Sequence, residues 1–205
     1  MPAVPLIPLE RKWKTVFWGA LGYMAVYSFC GWYGKSYAVH IETLSWLDQS
    51  IPFWRAWIWV YLSQYLMIPI CFKLTTDPLE YTRLFYGILF SLLICAAVFL
   101  IYPTTMLRPE NSLVDGLDCL RYYLYKLDEP TNCFPSLHVT LAILVGLYAS
   151  HHKALMLQMT LWSWSILIIL STLTFKQHYV LDVLGGVFVA IVAHRLTLSI
   201  VQDNC

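Results

Sequence analysis

Apolar residues gather into six long runs separated by short polar stretches. The runs cover residues 15–34, 54–72, 81–102, 137–150, 154–174 and 179–200. A membrane helix needs about 20 mostly apolar residues, and five of the six runs come near that length. The fourth is shorter, which is tolerable if its N-terminal end sits below the membrane surface. The pattern predicts an all-α integral membrane bundle of six transmembrane helices. The first run ends in Trp32 and Tyr33 rather than in a small-residue cleavage site, so a retained helix is expected, not a removed leader. Between the third and fourth runs, Leu113, Leu117, Leu120, Leu124 and Leu127 recur at helical spacing within residues 112–128. They predict a short amphipathic helix, either at the interface or as an ordinary surface helix.

Composition sharpens this picture. The 205-residue chain is 59% hydrophobic and 12% charged, whereas soluble domains carry about 25% charged residues. Nine Trp and fourteen Tyr fit side chains that collect at membrane–water interfaces. The length suits a single domain over residues 1–205, with an N-terminal tail of residues 1–14. A net charge of +1 argues against a nucleic-acid partner, which needs a basic face. Nothing in the sequence sets the oligomeric state. Gly185-Gly186 is a place for helices to approach closely.

Cations divide almost evenly between the two sides. The sharper signal is Arg11-Lys12-x-Lys14 just before the first run, which places the N- and C-termini in the cytoplasm. The third-to-fourth and fifth-to-sixth loops then lie together outside it. For any six-helix count these two loops share a side.

Cys30, Cys71 and Cys95 lie in apolar runs and read as small hydrophobes. Cys119 and Cys133 share the long loop; two free thiols are favoured over a disulfide, which an oxidising compartment would permit. No Cys/His spacing suggests a metal, and no cofactor is expected.

Two histidines and one aspartate break the apolar pattern in its C-terminal half. An ionisable group at membrane depth costs about 2.5–3.5 kcal/mol on insertion scales and marks a functional candidate. Asp182 follows His178 by four residues, so on a helix the two share a face. The carboxylate can accept from one imidazole nitrogen and leave the other to attack; the plainer alternative is an interfacial His beside a capping carboxylate. His138 follows Pro135, Ser136 and Leu137, residues suited to a helix start. Free amides there and the positive dipole end suit phosphate oxygens. Arg108 is a fork of donors that fits phosphate, and Lys176 adds a cation two residues before His178. His40, His151, His152 and His194 carry less weight.

Arg108-Pro109, then Pro135-Ser136-Leu137-His138, then His178 with Asp182 resemble the three-part signature of the type 2 phosphatidic acid phosphatase superfamily. The likeness spans about residues 81–194, with the motifs within residues 102–138 and 171–182. It implies a metal-independent lipid phosphatase with His178 as nucleophile, Asp182 as its partner and His138 as acid/base. Arg108, Ser136 and the Leu137 turn would hold phosphate. Three departures stand out: Ile101 replaces a Lys, Leu137 a Gly, and Thr172 an Arg. Lys176 is expected to supply one missing charge by facing the pocket of Arg108, His138 and His178. Pro-Ser-Leu-His and a cation two residues before His178 resemble the inositol phosphorylceramide synthase branch, which passes a phosphoryl-headgroup to an alcohol. The acceptor, water or alcohol, stays open, as does the lipid. A small proton-coupled transporter is a remote third reading; its ionisable groups should run through the membrane depth, and the cytoplasmic helix halves are nearly bare of them.

Overall fold

The computed structural model describes residues 4–40, 45–109, 113–149 and 153–202. Its helices are α1 (Lys12–Tyr37), α2 (Ser45–Ser50), α3 (Ile58–Leu62), α4 (Gln64–Leu74), α5 (Pro78–Ile101), α6 (Gly116–Leu127), α7 (Leu137–Ala149), α8 (Leu155–Thr174) and α9 (Val180–Ile200). Two two-residue strands, β1 (Val39–His40) and β2 (Thr104–Thr105), pair in parallel. Both lie between the apolar runs, where the hydrophobic pattern predicts no regular element.

Local signals set the helix starts. Asp77 caps α5 by accepting from the Glu80 amide, and Pro78 takes the first turn, where its missing N–H costs nothing. Asp115 accepts from the Leu117 and Asp118 amides and so begins α6 at Gly116. That start is later than the leucine spacing indicated. Leu113 therefore precedes the helix, and Glu110, Asn111 and Ser112 lie outside the described residues.

Four helical stretches have the length and apolar composition to cross a membrane: Arg55–Leu74, α5, α8 and α9. α1 has the length, at 26 residues, but its Trp, Tyr and Gly dilute its hydropathy and it is not among the four. α7 is apolar but only 13 residues long. These apolar helices are consistent with an integral membrane protein.

The centre of the molecule is α5, α7 and α9 packed on one another, with α8 against α7 and α1 against α5. Buried Leu84, Ala142, Leu144, Val145, Ala190 and Ala193 fill it. Gly186 sets the closest approach of α9 to the start of α7. A β-carbon there would lie 2.6 Å from the Ser136 carbonyl oxygen and 2.9 Å from Val139 Cβ, so only glycine fits. The α6 leucines face inward: Leu117, Leu120 and Leu124 pack around Ile58, Tyr61, Tyr125 and Phe175. Leu127 points out.

Cys119 and Cys133 are both free, the first exposed and the second buried. α6 turns Cys119 outward, while Cys133 sits in the packed approach to α7. Cys30, Cys71 and Cys95 are buried, as their apolar surroundings implied. Cys205, His151 and His152 lie outside the described residues.

Candidate active site

α8 ends in a tight reversal that presents His178. The Lys176 amide donates to the Leu173 carbonyl at 3.2 Å and the Gln177 amide to the Thr172 carbonyl at 2.9 Å. This is the Schellman pattern, in which one residue must be left-handed. Lys176 fills that place with φ 54, where glycine is usual. The His178 amide also donates to the Thr172 carbonyl. α9 starts two residues later, and its third-position carboxylate, Asp182, accepts from the Tyr179 amide at 2.8 Å.

The same Asp182 oxygen, Oδ2, lies 3.4 Å from His178 Nδ1. That separation pairs the groups without completing a hydrogen bond. Both side chains are buried, at 7% and 6% exposure. One carboxylate thus caps α9 and lies beside His178 Nδ1.

The start of α7 meets the start of α9. The Ser136 amide donates to the Asp182 carbonyl at 3.0 Å, and Ser136 Oγ accepts from the Val139 amide at 3.3 Å. Leu137 is buried at the first turn. His138, one residue on, lies with its ring centroid 5.7 Å from that of His178. Its ring also lies against that of Tyr61, with centroids 4.6 Å apart and planes at 33°. The two histidines, 40 positions apart in the chain, are thus side by side.

Arg108 joins them through Gln177. Its Nη2 donates to Gln177 Oε1 at 2.6 Å, and Nη1 donates to the Asp128 and Tyr125 carbonyls at 2.5 and 3.4 Å. The guanidinium lies 4.5 Å over the Tyr125 ring. Arg108 Nε is buried without a hydrogen-bond partner. Gln177 Nε2 is likewise buried without a hydrogen-bond partner. Buried donors left unmatched are costly and suit an anion.

Lys176 does not face this pocket. Its ammonium donates to the Asp48 and Ile51 carbonyls, each at 2.7 Å, at the end of α2. The left-handed backbone turns the side chain away, and two carbonyls hold it there. Burial pushes this ammonium below its ordinary value, with Asp48 opposing. Asp48 Oδ1 also accepts from the Val180 amide, so the end of α2 clamps the loop before α9. His40 bonds the Thr105 carbonyl and lies against the Tyr179 ring, and His194 meets the Tyr148 hydroxyl.

Gln177, Tyr61 and Asp128 were not legible as site residues. Only the position of Gln177 beside His178 could have drawn attention to it. Among the described residues, no group of three or more His, Cys, Asp or Glu side chains is placed to hold a metal ion.

The family model of the PAP2 superfamily matches residues 35–196, a span that holds all three motif regions. The chain belongs to the PAP2 superfamily. Comparison with curated proteins and with solved structures returns no significant match. Membership in the superfamily supports phosphatase- or phosphotransferase-type chemistry in general. The matched span leaves out most of α1 and runs from its last turn into α9.

Proposed function

We propose that this PAP2-superfamily chain is a metal-independent lipid phosphatase that works through a phosphohistidine. The observation that carries the reading is the meeting of His138, His178 and Asp182, with Arg108 tied to Gln177 beside them. Asp182 faces His178 Nδ1, so Nε2 attacks. Its lone pair forms the P–N bond as the P–O bond to the lipid breaks. His138 protonates the departing oxygen. It then takes a proton from water, whose oxygen attacks phosphorus and releases phosphate from His178. The His178–Asp182 contact, long in this structure, shortens as imidazolium charge grows. Arg108, Ser136 and the Leu137 amide hold the nonbridging oxygens. Lys176 has no part in this.

The chain crosses the bilayer six times in this reading, α1 and α7 included. Both termini are cytoplasmic and the site lies on the extracytoplasmic side. Its partners are the bilayer and a membrane lipid phosphate.

A second reading is favoured by charge. With Lys176 held by carbonyls, and with Ile101 and Thr172 where cations were expected, Arg108 is the cation that the described residues tie to this site, through Gln177. A phosphate monoester carries about −1.5 to −2 at pH 7, while a diester carries a single charge. One arginine beside two carboxylates, Asp128 and Asp182, suits the diester better. The reaction would then pass a phosphoryl-headgroup from His178 to an alcohol.

One experiment tests both. Purified protein and His178→Ala are assayed in detergent on dioctanoyl phosphatidic acid, phosphatidylglycerol phosphate, a prenyl diphosphate, and phosphatidylinositol with ceramide. Phosphate and lipid products are both measured. His178-dependent phosphate release supports the phosphatase, and His178-dependent headgroup transfer supports the second reading. Turnover that persists in His178→Ala refutes both.

A further inference from the structure

His178 has a carboxylate four residues on, in the first turn of α9. His138 has none, since α7 carries no acidic residue in its first turn. The fold supplies one from elsewhere. Tyr61, fully buried on α3, lays its ring on the His138 imidazole. Its hydroxyl donates to Asp128 Oδ2 at 2.9 Å, at the end of α6. Asp128 Oδ1 accepts from Tyr27 on α1 at 2.8 Å, and its carbonyl accepts from Arg108. One residue thus fixes Tyr61, the face of α1 and the phosphate-binding guanidinium.

We propose that Tyr61 and Asp128 are the positioning and charge-stabilising partner of His138, as Asp182 is for His178. This rests on the reading of His138 as acid/base. An imidazolium over an aromatic face is stabilised by the ring quadrupole. A phenol that donates its proton toward a carboxylate has a more electron-rich ring, so Asp128 strengthens that contact from beyond hydrogen-bond reach of the imidazole. The ring also fixes the plane of His138 against His178. The groups that face His138 are Tyr61 from α3, His178 from the loop before α9, Arg108 from the loop after β2 and Asp128 from the end of α6. From α4 the neutral Gln64 amide donates to the His138 carbonyl.

The test reads His138 itself and needs no substrate. Full-length protein in detergent is incubated in deuterated buffer across pH, and exchange at each histidine C2 is followed by peptide mass spectrometry. Tyr61→Phe keeps the ring and removes the link to Asp128. Asp128→Asn removes the charge. In both, the His138 midpoint moves to lower pH, by a few tenths of a pH unit in Tyr61→Phe, which keeps the ring, and by about 0.5 to 1 pH unit in Asp128→Asn, which removes the charge. The double variant moves no further than Asp128→Asn alone. His194, which meets Tyr148 toward the far end of α9, keeps its midpoint. An unmoved His138 midpoint in Tyr61→Phe overturns the proposal, even if Asp128→Asn fails to fold. Persistent turnover in His178→Ala would instead refute the function and leave this measurement readable.

Discussion

Gly186→Ala tests how tightly the two histidines depend on helix packing. Ordinary contact at a β-carbon begins near 3.4 Å, and the new methyl would stand 2.6 Å from the Ser136 carbonyl oxygen. That oxygen belongs to backbone and already accepts from Thr140, so it cannot swing aside. The start of α9 must retreat from the start of α7 by about 0.8 Å, the difference between those two distances. Gly186 is one turn beyond Asp182, so the retreat pulls Asp182 and His178 from Ser136 and His138. Overpacking of this kind costs about 1–3 kcal/mol. A misplacement near 1 Å costs about 100-fold in rate. The assay is kcat/KM on the lipid that the wild type turns over best, with thermal unfolding in the same detergent. Gly22→Ala is the control, because nothing lies within 4 Å of its β-carbon; it should stay within a few-fold of wild type. Wild-type kcat/KM and Tm in Gly186→Ala would refute the claim that this contact sets the histidine spacing.

Lys176→Gly should keep turnover within a few-fold, because glycine accepts the left-handed backbone at no cost and the ammonium is engaged by carbonyls. Lys176→Ile should unfold at lower temperature, since a branched side chain there is strained; a KM raised a hundredfold in Lys176→Gly would mean that the ammonium binds phosphate. Turnover should survive EDTA, because a histidine nucleophile needs no metal-bound water; loss with EDTA restored by a divalent ion would contradict it. Maleimide at neutral pH should label Cys119 and spare Cys133 in the folded protein, because burial pushes the Cys133 thiol up and only thiolate reacts; equal labelling in peptide mass spectrometry would contradict the packing before α7.

His138, His178 and Asp182 were legible because ionisable side chains beside apolar runs have few structural reasons to exist. Long apolar helices were legible for the same reason of scale. What stayed hidden depends on tertiary contact. Lys176 takes a left-handed position that glycine normally advertises, so its side-chain direction could not be read from its spacing to His178. Tyr61 and Asp128 reach His138 from 77 and 10 positions away in the chain, across three elements. Their types, a tyrosine in an apolar run and an aspartate after an amphipathic helix, are unremarked locally. The leucines of α6 had the right period, but only packing against Phe175 and Tyr61 shows which way they face. The β1–β2 pair is two residues long on each side, below any alternation a sequence can display.

The central claim is that His178 carries the phosphorus. Turnover of the best lipid is quenched in alkali within a single cycle, and the protein is digested for mass spectrometry. The account predicts an acid-labile phosphoryl adduct on the His178 peptide, or a phosphoryl-headgroup adduct if a diester is the substrate, and no adduct in His178→Ala. An adduct on His138, or none while the wild type turns over in the burst phase, would contradict it.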